Sequence, residues 1–453
     1  MATKDVIKAR NSAELLSYII NADPILRAEV DLPVQGQDIK EIGKLIVNNE
    51  RYKNAFLNTV NLIGLTVIKR NGWNNPWDFT KRGTLRFGQQ VRELINDLAP
   101  VYDYNELSED VTRFLENQVP DLYNYIHEVN FQKFYETTTS DVQMAMAFEN
   151  EESLLVYIDE TIGMLYQSLM YDEYLVDKYI LCRRIVEGTV TPTYIPDFDN
   201  LTVRERVAYM KGASNKMSFR SPNYNPAGIR RATAHENQIF ILNCEFDAQV
   251  TTEVLATSFF RNDAEFKSRG KLIDTFSDTD DARLIELLGD AYTPFTEEEK
   301  AKLGNIPAVI ISEEWFMDYD YALDGESGQR YTEFYNPTTL KNNHFLHYWG
   351  VKSSSPFENA TVFTTDEPSV VSVAFDPSEI TTSKGQTVQL KVNVETTGFA
   401  NKGVSFESSV ETIKVSQDGK VVIPSDTTET SVTITATSIF DNTKSATATI
   451  TIA

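Results

Sequence analysis

The sequence predicts a large α+β domain followed by a smaller, all-β sandwich. The first observation is a change of composition near 366–368, after which Trp, Tyr, Cys, His, Met and Arg no longer occur. The second is the alternation of apolar and polar residues over 431–438 and 445–452, which is typical of half-buried strands. The third is that helical spacing and isolated apolar runs are mixed before residue 366.

Length and charge limit the function. A chain of 453 residues with 41% hydrophobic residues can bury the cores of two or three domains. The net charge of -24 opposes binding to bulk nucleic acid or to an anionic membrane, so specific DNA reading is not expected. A container that encloses DNA without gripping it can still be acidic.

The cysteines and the hydropathy of the sequence indicate the cellular compartment of the chain. Cys182 and Cys244 give no disulfide framework, which fits assembly in a reducing cytoplasm. No N-terminal apolar stretch predicts a signal peptide, and no run of about 18 apolar residues predicts a membrane span.

The first domain begins with a helix over 12–23, which Pro24 ends. Apolar residues over 62–68 and a second β-like run over 84–94 then predict a long hairpin with Trp73 and Trp77 at its tip. Apolar side chains spaced by three or four residues predict the longest helix, over about 148–187. It is expected to stop at Gly188.

Later elements follow the same signals. Strands are predicted over 238–246, 308–312 and 360–363, and Thr296 with Glu299 forms a capping box that starts a helix. In the C-terminal part, Asp418-Gly419 predicts a hairpin turn between short strands. Several such strands in fewer than 100 residues indicate a β-sandwich.

A search for chemistry finds no catalytic, cofactor or metal motif. An acidic group lacks the spacing of a calcium loop, and a solvated loop is favoured over a cation site; its members are Asp274, Asp278, Asp280 and Asp281. His344 and His347 could share a helix face but have no third ligand nearby, so packing is favoured. We therefore expect no cofactor and no enzymatic activity.

Two sets of residues are candidates for contacts between subunits. Around the predicted hairpin tip they are Lys69, Arg70, Trp73, Trp77, Lys81 and Arg82, with core packing as the alternative for the tryptophans. The second set reverses the sign of this acidic chain, with an ordinary basic face or contact with packaged DNA as alternatives. Its members are Arg204, Arg206, Lys211, Lys216, Arg220, Arg230 and Arg231.

A set of collinear phrases then suggests a family. They lie at 62–70, 74–76, 79–88, 131–135, 315–320 and 357–363. In order and approximate spacing they resemble the major head (capsid) proteins of small podoviruses with short, protein-primed genomes. The phrases at 371–377 and 384–390 are similar to the opening of a bacterial immunoglobulin-like domain of group 2, which that family also carries.

The resemblance implies a Hong Kong ninety-seven-type capsid fold over 1–365 and an immunoglobulin-like β-sandwich over 366–453. Within the first domain it implies an N-terminal arm (1–45), an extended loop (62–94), a spine helix (about 148–187) and an axial domain (about 190–305). Arm and loop would reach onto neighbours.

The function implied is structural. Subunits would form pentamers and hexamers around a scaffolding protein, in the host cytoplasm, and enclose double-stranded DNA packaged through a portal. The protein would then reside in the icosahedral or prolate head shell of the virion. Weak contact of 366–453 with host-wall glycan is a further hypothesis. One alternative is a cell-surface adhesin or carbohydrate-active protein with an accessory immunoglobulin-like domain, against which the missing signal peptide counts. Another is a different virion component, such as a tail or decoration protein, against which the predicted long helix and extended loop count.

Overall fold

The structure is a computed structural model. It describes residues 12–30, 32, 38–49, 51–53, 55–56, 73–86, 88–96, 98–99, 122–140, 159–253, 270–323, 328–339, 341–410, 412–416 and 419–452. The helices are α1 (Ser12–Ala22), α2 (Pro24–Glu29), α3 (Asp38–Asn48), α4 (Met164–Val186), α5 (Val203–Met217), α6 (Cys244–Glu253), α7 (Asp281–Leu288) and α8 (Glu297–Gly304).

The strands before residue 366 are β1 (Lys81–Leu85), β2 (Val91–Asn96), β3 (Leu122–His127), β4 (Phe131–Ser140), β5 (Thr191–Tyr194), β6 (Gln238–Asn243), β7 (Gly270–Ile273), β8 (Ala308–Ser312), β9 (Phe316–Tyr321), β10 (Gln329–Asn336), β11 (Lys341–Ser354) and β12 (Ala360–Thr364). Those after it are β13 (Ser369–Phe375), β14 (Glu379–Thr382), β15 (Thr387–Gln389), β16 (Val392–Thr397), β17 (Val404–Ser408), β18 (Lys420–Val422), β19 (Ser431–Ser438) and β20 (Ser445–Ile452).

The predicted helix over 12–23 is confirmed as α1, whereas α2 directly after it was not predicted. Helix α1 ends before Pro24, and Pro24 opens α2, where a proline costs no hydrogen bond. The carboxylate of Asp23 caps α2 by accepting hydrogen bonds from the backbone amides of Ile25 and Leu26. Both helices bury apolar side chains, Leu16 and Leu26 among them, in the main core of their own subunit.

The first sheet is built around the long strand β11. Strand β4 pairs with one edge of β11, while β10 and β9 share the other edge end to end. Strand β1 extends the sheet by running parallel to β9. Helix α4 packs on this sheet and ends at Val186, with Gly188 in the left-handed region at φ +73°. The predicted long helix is confirmed over Met164–Val186 with its stop at Gly188, while the first part of the predicted range, 148–158, lies outside the described residues.

The predicted hairpin of 62–68 with 84–94 needs correction. Residues 62–68 lie outside the described residues. The run 84–94 is not one strand, because β1 ends at Leu85 and a turn at Gly88 (φ +79°) separates it from β2. Strand β2 pairs antiparallel with β3, a partner that the sequence did not indicate.

The second sheet has the order β5-β12-β8-β6-β7. Helices α5 and α6 cover one face, where Met210 and Phe246 pack against Phe240 and Ile310. The opposite face of the same strands, with Ile241 among its residues, belongs to the main core. Because both faces are covered, β8 is buried along its whole length. The predicted strands at 308–312 and 360–363 and the predicted capping box are confirmed. The strand predicted over 238–246 is correct only over 238–243, because helix α6 begins at Cys244.

The C-terminal part has its own core. Alternate residues of β19 and β20 point inward, with Ile434 and Ile450 fully buried, as the alternation predicts. A loop of this part also meets the first domain. Phe399 packs in the main core, and a Cβ on Gly188 would lie 2.5 Å from the carbonyl oxygen of Ala400. Only glycine allows this close approach at the end of α4.

Candidate subunit-contact surfaces

The acidic group and the histidines have structural roles. Asp274 accepts hydrogen bonds from Lys178 and Tyr174, whereas Asp280 caps α7 and Asp281 binds Lys300. The described part of the chain contains no group of three or more His, Cys, Asp or Glu side chains that could hold a metal ion.

His344 and His347 lie on strand β11, so the prediction of a shared helix face is wrong. The ring of His344 is buried between Tyr331 and Thr139, at 2.5 Å and 2.7 Å from their hydroxyl oxygens. Burial, helped by the charge of Lys53, lowers the pKa of His344 to about 4. This histidine is therefore a neutral hydrogen-bonding residue of the core.

The tryptophans of the predicted loop differ from each other. Trp77 has no exposed surface, donates from Nε1 to the carbonyl of Leu272 (2.9 Å) and packs edge-on against Tyr174. It therefore has no surface to offer a neighbour, which corrects its place among the contact candidates. Trp73 is 44% exposed and leans against Tyr171 and Tyr174, so it remains a candidate.

The basic residues near that loop are mostly engaged within the subunit. Lys81 lies 2.9 Å from the carboxylate of Glu173, with its side chain only 24% exposed. Arg82 donates to the carbonyl of Glu313 at 2.9 Å. Lys69 and Arg70 lie outside the described residues. The interior contact of Lys81 is a role that sequence spacing did not reveal.

The strand pair β2–β3, which we call the ribbon, is an exposed apolar feature that the sequence analysis missed. Its register places Leu94, Leu122 and Ile126 on one face, with exposed fractions of 59%, 60% and 40%. Tyr123 and Tyr125 occupy the other face, half exposed. A two-stranded ribbon has no core of its own, so apolar side chains on both faces favour burial against another surface.

The root of the ribbon is fixed by polar contacts. The buried ring of His127 in β3 lies 2.9 Å from the carboxylate of Glu93 in β2 and 2.6 Å from the hydroxyl of Ser353 in β11. Glu93 also accepts from Ser355 at 2.8 Å. Asn130 bonds both backbone groups of Lys352. These bonds join the two ribbon strands to the end of β11.

The basic interval separates into two groups. Arg206 donates to the carbonyls of Phe198 and Asp199, and Arg231 pairs with Glu314 and Glu358, so both serve the subunit itself. The others are exposed on and after α5, together with Phe219, which is 73% exposed. They are Arg204, Lys211, Lys216, Arg220 and Arg230. We call this exposed group the basic face.

The two cysteines are free, Cys182 in the core and Cys244 at the surface. Within the described ranges, no helix is long and apolar enough to cross a membrane.

Comparison with known proteins gives a consistent result. A family model described as Phi29-like phage major capsid protein matches residues 27–364. The major capsid protein of Bacillus phage GA-1 is 26% identical over 370 residues, covering 80% of this chain and 71% of the relative. That of Bacillus phage PZA is also 26% identical, over 88% of this chain and 84% of the relative. A chain of the Staphylococcus phage Andhra capsid aligns over 64% of this chain and 84% of that chain, with 14% identity and a TM-score of 0.47.

Proposed function

The chain belongs to the family of Phi29-like phage major capsid proteins, and we propose that the ribbon is the main contact by which it assembles into the head shell. Its role as a structural capsid protein follows from the family and the named relatives, as does the absence of enzymatic activity. The adhesin alternative has no support among these relatives.

The observation that carries this proposal is the exposure of the ribbon. Leucine and isoleucine side chains that are about half exposed are stabilised when a second surface removes them from water. A shell subunit is surrounded by other copies of the same chain, so we assign a neighbouring copy as the partner that covers the ribbon. In this proposal the ribbon takes the part that the resemblance gave to an extended loop over 62–94.

The basic face supplies a second contact in this proposal. Five exposed cations lie on a chain with a net charge of -24, so a neighbouring copy offers mostly negative surface. Complementary charge speeds encounter and fixes orientation more than it adds affinity. Contact with enclosed DNA is the alternative role of the same residues.

The remaining expectations form part of the same proposal. They comprise a Hong Kong ninety-seven-type fold, pentamers and hexamers, a scaffolding protein, a portal, enclosed double-stranded DNA and assembly in the host cytoplasm. The all-β part over 366–453, with eight described strands, supports an immunoglobulin-like sandwich that projects outward. Weak contact of this part with host-wall glycan would rely on many copies acting together.

Electron microscopy of assembly reactions tests the proposal. The full chain, the chain ending at residue 365 and a ribbon variant, Leu122→Thr, are compared under conditions in which the full chain forms shells. We expect shells from the full chain, fewer from the ribbon variant, and shells from the truncated chain if the C-terminal part is dispensable. Normal yields from the ribbon variant would show that another surface carries assembly.

A further inference from the structure

Charged side chains are gathered inside the first domain, where α4, β1, β9 and β11 meet. We call five of them the inner cluster: Lys81, Glu173, Asp177, Asp318 and Lys352. All except Lys81 are almost fully buried. The ammonium of Lys352 lies 2.5 Å from Asp318 and 3.4 Å from Asp177, and that of Lys81 lies 2.9 Å from Glu173.

The inner cluster has one negative charge too many. Three carboxylates face two ammonium groups, and an unbalanced buried charge is costly, so a retained proton is the simplest compensation. Among the described residues, Lys352 and Lys81 are the cations that act on these carboxylates. On the adjoining side, the hydroxyl of Tyr348 from β11 donates to Asp320 of β9 at 2.7 Å, which adds a half-buried fourth carboxylate.

Thr80 shows where such a proton is needed. Its hydroxyl oxygen lies 2.9 Å from the carbonyl oxygen of Trp77, 2.9 Å from Asp177 and 3.2 Å from Asp318. A hydroxyl has one proton to donate, and the carbonyl can only accept. If both carboxylates are ionised, at least one of these approaches sets oxygen against oxygen with no proton between. A proton on a carboxyl group allows it to donate to Thr80 while Thr80 donates to Trp77.

We propose that Asp177 keeps a proton at mildly acidic pH and that this proton latches the Trp77–Thr80 turn and strand β1 onto helix α4. Asp177 is more easily protonated than Asp318 because it lies farther from the ammonium of Lys352, which favours an ionised carboxylate. When the proton leaves to solvent, the hydrogen bond to Thr80 becomes a contact between acceptors and the latch weakens. The same turn leads through β1 and Gly88 into the ribbon, so the latch acts at the entry to that arm.

The proposal predicts that the free energy of unfolding falls as the pH rises. Burial is the main cause that raises the pKa of Asp177 to about 7, with Asp318 and Glu173 adding to the effect and Lys352 opposing it. Burial also raises the pKa of Asp318. A carboxyl group whose pKa is raised on folding favours the folded state fully below its unfolded pKa, near 4. That contribution is lost as the pH rises through about 7.

The substitution Asp177→Asn tests the latch, because an amide keeps a donor for Thr80 and cannot ionise. Urea unfolding of the full chain is measured from pH 5 to pH 8.5. We expect the folding equilibrium constant of the wild type to fall relative to that of the variant by roughly a hundredfold between pH 5 and pH 8. Glu187→Gln, which removes a half-exposed carboxylate at the end of α4, should follow the wild-type profile. Parallel profiles of wild type and Asp177→Asn would overturn the proposal.

Infrared spectroscopy gives a second reading, in which the wild-type chain alone tests whether a protonated aspartate is present and the two variants assign it. The full chain is labelled with ¹³C in the aspartate carboxyl groups, so that glutamates do not contribute. A band from a protonated aspartate at pH 6 that fades by pH 9 supports the latch, and its absence refutes it. A band that persists in Asp177→Asn but disappears in Asp318→Asn would move the proton to Asp318 and overturn the assignment to Asp177.

Discussion

Replacement of Leu122 by threonine should weaken shell assembly while leaving the folded subunit almost unchanged. Leu122 is 60% exposed on the apolar face of the ribbon, and threonine preserves the preference for a strand. Full burial of a leucine side chain contributes about 1.5–3 kcal/mol, so burial of the exposed fraction against a neighbour contributes about 1–2 kcal/mol. In a closed shell each subunit provides one ribbon, so this loss applies once per subunit.

The assay follows assembly against concentration. Because about 1.4 kcal/mol is a tenfold change in an equilibrium constant, the concentration at which shells appear should rise roughly tenfold, as measured by light scattering and checked by electron microscopy. Ile439→Thr is the matched control, since Ile439 is 61% exposed and belongs to the C-terminal part rather than to the ribbon. Urea unfolding of the unassembled Leu122→Thr chain should change by less than about 0.5 kcal/mol. An unchanged threshold, or an equal rise in the control, refutes the reasoning.

Three further predictions concern stability, each measured by urea unfolding of the full chain. Trp77→Ala should cost about 3–5 kcal/mol because the ring is fully buried, and Trp73→Ala, at 44% exposure, clearly less. The lowered pKa of His344, about 4, means that its contribution is present above pH 6.5 and falls by about 3 kcal/mol as the pH drops to 4; His344→Gln should remove this slope. Gly188→Ala should destabilise by more than about 1 kcal/mol because of its φ of +73° and the Ala400 carbonyl, whereas Gly212→Ala, in open space on α5, should stabilise by about 0.5–1 kcal/mol. A Gly188→Ala chain as stable as the wild type would contradict the close approach of the two domains.

The elements that could be predicted from the sequence are those whose burial follows a simple period. Strands β19 and β20 bury every second residue, and the apolar residues of α4 keep a helical spacing up to a glycine that ends the helix. In each case the spacing shows directly which side chains are buried. Strand β8 is short and covered on both faces, and its nearly continuous apolar run shows this in the sequence.

The ribbon escaped prediction for a physical reason. Residues 122–127 alternate poorly, and all but His127 are exposed in the isolated subunit. Their partner strand lies more than twenty residues away, so no local turn signal joins the two strands. The 84–94 run was read as one strand because its composition gives no sign that β1 and β2 join different sheets.

The inner cluster could not be predicted either. Its members come from 81, 173–177, 318 and 352, and each looks like an ordinary surface charge in its own segment. Only the packing of α4 across the sheet places them together. A charged residue at a buried helix position, such as Asp177 in α4, interrupts the apolar pattern and is the one signal that was available.

The end of β11 explains how an apolar outer contact is combined with a firm attachment. Over residues 352–355 each side chain serves a different neighbour: Lys352 binds the inner cluster, Ser353 binds His127, Ser354 accepts from Arg184 of α4, and Ser355 donates to Glu93. Apolar contacts are not directional, so in the proposed assembly the face bearing Leu122 can meet neighbours in different orientations. Hydrogen bonds are directional and resist sliding. These hydrogen bonds join the ribbon to β11 and β11 to α4, so in the proposed assembly the ribbon stays aligned with the body of its own subunit.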